Sequence, residues 1–333
     1  MAGSSNARPS VLVFATGGTI GMRATDKGLA PGPDFAEVLE SPGQEITHPL
    51  GVEWRINHLL PSIDSANADA GTAPRIARAI RARVRTQRPR GVVVLHGTDT
   101  LAYTAARLAF DLSDLEVPIV ITGSQLPHGD PDTDASANLS LAIRTALRAA
   151  PGSPVCIAFG GSILPAVRAT KHSSTALSAF SAALPLAPSP SGLPAATQAQ
   201  DARDPARVLT HRFVPATIAA DLRAAVGGSP DGLILECYGS GNAPMGRPGM
   251  LGVLREICAE MPVVAITQCE SGGVNLGRYV VGHELAAAGV IDGSDLPVEA
   301  ATAKLGYLID NGFSGAELGT LVGRNLVGEC AGV

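Results

Sequence analysis

Short apolar, β-branched runs alternate along the chain with longer segments in which apolar residues recur every three to four positions. Runs at 10–16, 91–96 (GVVVLH), 117–122 (VPIVIT) and 154–159 predict strands buried on both faces, as in a parallel sheet covered by helices. Between the first two lies TAPRIARAIRARVRTQ, with a Thr cap, a Pro in the first turn and Ile76, Ala79, Ile80 and Val84 at helical spacing. This predicts an amphipathic helix whose other face, with Arg75, Arg78, Arg81, Arg85 and Arg88, is solvated. Around 184–206 the sequence becomes LPLAPSPSGLPAATQAQDARDPA, dense in Pro, Ser and Ala without periodicity, and reads as an exposed linker at a domain boundary. The α/β pattern then resumes with strands at 231–238 and 261–268 and helices near 247–260, 297–310 and 314–325. Two α/β domains are expected: a larger N-terminal one over 1–190 with a mainly parallel sheet, a linker over 191–215, and a smaller one over 216–333. No fixed-period repeat points to a solenoid or propeller.

Composition narrows the function. The length of 333 residues suits two cores, and 45% hydrophobic with 17% charged residues suits a globular protein. A formal net charge of -5 argues against general nucleic-acid binding, so a small-molecule partner is expected. No apolar run reaches the length of a membrane span, and the opening MAGSSNARPS is polar, which predicts a cytoplasmic protein without membrane association. Cys156, Cys237, Cys258, Cys269 and Cys330 are scattered without a Cys-x-x-Cys pair, as expected of reduced thiols. His283-Glu284 has no second His four residues on, so no metal is expected.

In an open parallel sheet, ligands bind beyond the carboxyl ends of the strands. The polar residues there are Thr16, Gly17, Gly18 and Thr19 after the first run, Gly97, Thr98, Asp99 and Thr100 after the second, and Gly123, Ser124 and Gln125 after the third. Gly17, Gly18 and Gly21 fit neither phosphate-binding glycine spacing, and no Gly-x-Ser-x-Gly presents a serine. Threonine is left as candidate nucleophile. A threonine hydroxyl needs a base, and a neutral amine can come from Lys but not from Arg. Among 25 basic residues only Lys27, Lys171 and Lys304 are lysines, and Lys171 follows the run at 154–159, at the same sheet edge as Thr19 and Thr98.

ATGGTI with Thr19, PSIDSAN with Ser65, LHGTDT with Thr98 and Asp99, ITGSQ, RATK with Lys171, YGSGNAP with Asn242 and ITQCESGGVN together resemble the bacterial L-asparaginases, closest to their cytosolic type. The match runs in order over nearly the whole chain, and the first threonine motif with LHGTDT forms a specific pair. The resemblance implies a smaller C-terminal domain of flavodoxin- or Rossmann-like form and hydrolysis of L-asparagine to L-aspartate and ammonia without metal or organic cofactor. Thr19 resembles the nucleophile that forms an acyl-enzyme, with Gly18 letting the chain turn into the site. Thr98, Lys171 and Asp99 resemble the family's second threonine, lysine and aspartate. Asp99 would also hold the substrate's α-ammonium, Ser65 with the backbone around Asp64 would take its α-carboxylate, and the Thr98 N–H would serve an oxyanion. Asn242 resembles a residue contributed by a neighbouring subunit, which implies a homodimer or homotetramer.

Three places depart from that pattern, the first being the serine motif, where Ala66 and Asn67 replace a more polar pair seen in many relatives, so that the shell setting amide specificity is expected to differ. Leu29 in GLAP stands where relatives carry a lid tyrosine, leaving Thr25, Asp26 or Lys27 in GMRATDKGLAPGP as substitutes. Glu236 stands where some cytosolic members use an Arg to bind an asparagine effector, so no effector site is expected. The alternatives are a glutaminase-asparaginase of broader range, an amino-acid-binding protein that has lost turnover, and the amidase subunit of a tRNA-transamidation complex. That subunit family carries a further domain before its threonine, whereas eighteen residues precede Thr19.

Overall fold

The computed structural model describes residues 8–31, 35–59, 61–188, 190–195 and 204–332. The chain divides into two compact units, Met1–Ser181 and Ala182–Val333. The first contains β1 (Ser10–Ala15), β2 (Met22–Thr25), β3 (Gly28–Pro31), β4 (Glu53–His58), β5 (Gly91–Leu95), β6 (Ile119–Thr122), β7 (Cys156–Phe159) and β8 (Ser162–Pro165). Six of these form one sheet in the order β4-β1-β5-β6-β7-β8, parallel except for the β7–β8 pair. The row Ile56, Val13, Val93 and Val120 crosses four strands in register. Its three valines are fully buried, each burial contributing roughly 1.5–3 kcal/mol.

Helices cover both faces: α1 (Phe35–Thr47), α2 (Thr72–Gln87), α3 (Leu101–Asp111) and α4 (Ala135–Arg148). Leu139, Ala142, Ile143 and Ala146 of α4 join Val13, Val93 and Val120 in one apolar cluster. The α2 span coincides with the amphipathic pattern, and Ile76 and Ile80 are buried. Its cap differs from the expected one. Gly71 holds the N-cap position, and Thr72, the first helical residue, instead donates to Asp69 Oδ1 at 2.9 Å and accepts from the Asp69 N–H at 3.0 Å. Arg81 also leaves the solvated stripe, because its guanidinium reaches Asp114 at 2.5 Å.

The glycine-rich stretch expected as a lid forms a β2–β3 hairpin, with Ala24 opposite Leu29. Residues 32 and 33 of that stretch lie outside the described residues. The Thr25 hydroxyl donates to Gly28 O at 2.6 Å and closes the hairpin turn.

After the short antiparallel pair β9 (Thr170–Lys171) and β10 (Phe180–Ser181), the second unit has a parallel sheet in chain order: β11 (Val208–Arg212), β12 (Gly232–Cys237), β13 (Val263–Thr267) and β14 (Ile291–Asp292). Its helices are α5 (Ala219–Val226), α6 (Met250–Glu260), α7 (Val280–Ala287), α8 (Val298–Asp310) and α9 (Gly315–Gly323). The span 191–215, expected as linker, contains β11, and its residues 196–203 lie outside the described residues. The Pro- and Ser-rich stretch before it is held by the C-terminal segment: Ala187 N donates to Gly328 O, Ser191 N to Asn325 O and Gly192 N to Leu326 O. A side chain at Gly328 would collide with Leu186, which shows how closely the two segments lie. Among the described residues no helix is long and apolar enough to cross a membrane.

A buried ion pair fixes that C-terminal segment. Lys304 Nζ on α8 lies 2.7 Å from Glu329 Oε1, with both side chains essentially inaccessible. The amine also donates to Val322 O at 2.7 Å and Arg324 O at 2.5 Å, while Glu329 accepts from the N–H groups of Leu326 and Val327. Removing one partner of such a pair leaves a buried charge uncompensated. Lys304→Met should therefore lower stability by about 3–5 kcal/mol. Glu329→Gln added to it should recover part of that loss. Urea unfolding of the three proteins checks this, and an unchanged midpoint in Lys304→Met would contradict the clamp.

Candidate functional site

In the first unit β4, β1, β5 and β6 are adjacent and parallel, so the loops that leave their carboxyl ends share one edge. Backbone contacts weld these loops together. The Thr16 hydroxyl donates to Leu95 O at 2.8 Å, and the Ile63 N–H donates to Thr16 O at 2.7 Å. Gly17 and Gly18 have φ of 128° and 96°, a region that glycine enters without steric cost. A Cβ on Gly17 would lie 2.2 Å from Ile63 O, and one on Gly18 would lie 2.5 Å from Gly97 Cα. The residues that follow these two touching glycines are Thr19 and Thr98.

Thr19 is half-buried and opens a short 3-10 turn, Thr19–Gly21. Ser65 is buried and opens another, Ser65–Asn67, where Asp64 Oδ1 accepts from the Ala66 N–H at 3.2 Å. Two features seat Ser65 against the β5 loop. The Thr100 hydroxyl donates to its carbonyl at 2.8 Å, and a Cβ on Gly97 would come within 2.4 Å of its Oγ. Thr98 is buried, whereas the Asp99 side chain is 62% exposed just before the N-terminus of α3, where unpaired N–H groups favour negative charge.

Lys171 arrives from β9. Its Nζ lies 2.9 Å from Thr98 Oγ1 and 2.8 Å from Asp99 Oδ1. The amine thus joins a buried hydroxyl to a carboxylate that keeps a solvent-facing side, a set able to move a proton and to hold a cation. Lys171, Thr98, Asp99, Gly18, Thr19, Asp64 and Ser65 all belong to the first unit. Asn242 belongs to the second, in a tight turn after β12 where its N–H and C=O pair with Tyr238. The other two lysines lie elsewhere: Lys27 is exposed beside the hairpin turn, and Lys304 is buried in the C-terminal clamp.

The loop after β6 has a supporting part. The Ser124 hydroxyl donates to Leu126 O, and Gln125 Nε2 donates to Ala176 O. Asp134 accepts from the N–H groups of Gln125 and Leu126, and Asn138 bridges Gly123 O, Asp134 and the Gly160 N–H. His96, which no motif in the sequence marks out, is buried directly before Gly97. Its Nδ1 lies 2.8 Å from Gly97 O and its Nε2 lies 3.1 Å from Thr104 Oγ1. Burial lowers its pKa, outweighing the bond to Gly97 that raises it. The signal available in the sequence was a histidine at the end of an apolar strand, a position that does not distinguish core from site.

Burial pushes the Cys156 thiol up to about 11, so this residue of the first unit is a poor nucleophile at neutral pH. Among the described residues no group of three or more His, Cys, Asp or Glu side chains is placed to hold a metal ion.

Comparison with known proteins bears on the whole chain. The N-terminal asparaginase family model matches residues 10–189, and the glutaminase/asparaginase C-terminal domain model matches residues 207–321. L-asparaginase 1 of Escherichia coli strain K12 is 32% identical over 336 residues, spanning 97% of this chain and 98% of that protein. The L-asparaginase of Thermococcus kodakarensis is 32% identical over 333 residues, or 97% and 99% of the two chains. The solved structure of the thermostable Thermococcus kodakarensis L-asparaginase superposes with a TM-score of 0.80, covering 97% of this chain and all of that one. L-asparaginase I from Vibrio cholerae superposes with a TM-score of 0.82 at 32% identity, covering 97% and 99%. With both family models matched in order and the two-unit fold shared, this chain belongs to the asparaginase family.

Proposed function

We propose that this protein is a cytosolic L-asparaginase that hydrolyses L-asparagine to L-aspartate and ammonia. The observation that carries this reading is the Lys171 amine, within hydrogen-bond distance of both Thr98 and Asp99. Residues 1–190 form the catalytic domain in this reading, and 216–333 form a domain for subunit contacts.

Thr19 Oγ attacks the side-chain amide carbon, and its proton passes to the departing nitrogen, which leaves as ammonia. The product of this half is an ester between Thr19 and the aspartyl group. Water then attacks the ester carbon, its proton returns to Thr19 Oγ, and L-aspartate is released. In the second half Lys171, in its neutral form, takes the proton of the attacking water, directly or through the Thr98 hydroxyl, and hands it on to Thr19 Oγ as the ester C–O bond breaks. Asp99 attracts the substrate α-ammonium through its exposed side, and Ser65 with the Asp64 backbone receives the α-carboxylate. The two substrate charges are thereby fixed at one end of the molecule, which leaves the amide to point towards the threonines. The Thr98 N–H stabilises the oxyanion of each tetrahedral intermediate.

Asn242 completes the site of a neighbouring copy in this reading, within a homodimer or homotetramer. At the end of β12, Glu236 Oε1 lies 3.6 Å from Arg212 Nη1. A carboxylate at this position, itself paired with Arg212, offers no charge complementarity to an effector's α-carboxylate, so saturation by asparagine is expected to be hyperbolic, without an effector site.

Ammonia release from L-asparagine, with L-glutamine in parallel, is the direct test. Thr19→Ala should lower kcat by about 1,000-fold or more, and Lys171→Met by about 100- to 10,000-fold. A folded wild type that releases no ammonia from either amide would refute the assignment and favour a binding protein. A wild type that processes both amides equally would shift it to a glutaminase-asparaginase.

The neighbouring-copy contribution has its own check. Thr19→Ala and Asn242→Ala chains, each impaired alone, should regain activity when refolded together, because one mixed site then holds both native residues. No recovery in confirmed mixed oligomers would show that Asn242 acts within its own chain or not at all.

A further inference from the structure

We propose that His96 is a positioning residue for this reaction, its ring aiming the Thr98 N–H by gripping the carbonyl on the other side of the same peptide plane. This rests on the asparaginase reading above. Gly97 O can only accept a hydrogen bond, so the Nδ1 that lies 2.8 Å from it carries the proton. The neutral ring then offers Nε2 as acceptor, and the Thr104 hydroxyl at 3.1 Å donates to it. Burial keeps the ring neutral and so preserves this tautomer.

The consequence follows from peptide geometry. In a trans peptide the C=O and the following N–H point in opposite directions. Holding Gly97 O towards the buried ring therefore turns the Thr98 N–H away from it. Among the described residues no hydrogen bond takes up that N–H, which leaves it available for a ligand. The peptide needs such a grip because glycine on its N-terminal side places little restraint on its rotation. The ring itself stands on a fixed base: the His96 N–H donates to Thr122 O at 2.9 Å, and a Cβ on Gly123 would lie 2.3 Å from His96 O. Thr104 is buried on α3, one helical turn beyond Thr100, the residue that holds Ser65. One helix thus supports the oxyanion donor through His96 and the expected carboxylate site through Thr100.

Two variants and one spectrum test this. His96→Phe removes both ring nitrogens while keeping an aromatic side chain. His96→Asn keeps an N–H donor close to the place of Nδ1. In His96→Phe, kcat for L-asparagine should fall about 10- to 100-fold while KM and the affinity for L-aspartate change less than about threefold, since a misaimed oxyanion donor acts on the transition state. His96→Asn should recover kcat to within about fivefold of wild type. A folded His96→Phe with wild-type kcat would overturn the inference, as would equal losses in both variants or a loss confined to KM. If neither variant folds, 15N chemical shifts of the wild-type ring decide: a protonated Nδ1 with an accepting Nε2 supports the grip, and the opposite tautomer overturns it. An inactive wild type would refute the asparaginase reading instead, and the ring spectrum would still test the His96–Gly97 contact.

Discussion

Three loops at the carboxyl edge of the first sheet meet with no room for a single β-carbon. Gly17 abuts the carbonyl of Ile63, Gly18 abuts the backbone of Gly97, and Gly97 abuts the side chain of Ser65. Every polar group proposed for the chemistry in this unit depends on that contact. It brings the residues after β1 and β5 beside each other and seats the serine loop against them. A Cβ at any of these glycines would collide with the facing loop, and the positive φ at Gly17 and Gly18 would strain any replacement.

Around that contact the buried polar groups form bonded networks. Asp134 and Asn138 tie the loops after β6 and β7 to the start of α4. Thr100 and Thr104, four residues apart, face the serine loop and His96 respectively. A buried polar group without a partner costs about 1–3 kcal/mol, so each of these bonds also selects one loop conformation over its alternatives. Rigidity at the sheet edge and readiness for chemistry have the same origin here.

The two cation types are used differently. Arg residues lie mostly at the surface, as along α2, where Arg75, Arg78, Arg85 and Arg88 are exposed. The three lysines have distinct settings: Lys27 beside a turn, Lys171 between a hydroxyl and a carboxylate, and Lys304 sealed against Glu329. Scarcity drew attention to all three in the sequence. It could not separate the lysine that clamps a C-terminal segment from the one that meets Thr98, because both lie within α/β patterns and only their packing differs.

Local chemistry determined much of this protein. Apolar runs set β1, β5, β6, β12 and β13 because buried strands need continuous apolar residues, and helical spacing set α2 because one face must pack. Motif order further pointed to Thr19, Ser65, Thr98, Asp99 and Lys171 as members of one family pattern. Other features required the folded chain. β8 (SILP) is largely exposed and has no continuous apolar run, β14 has only two residues, and the hairpin at Leu29 was hidden by a composition typical of loops. The stretch before β11 looked like a free linker because its own residues show no pattern, yet the bonds that hold it come from residues more than 130 positions away. His96 gives the same lesson within the site: its identity was visible, but its grip on Gly97 arises from the burial and tautomer imposed by α3, which only tertiary packing decides.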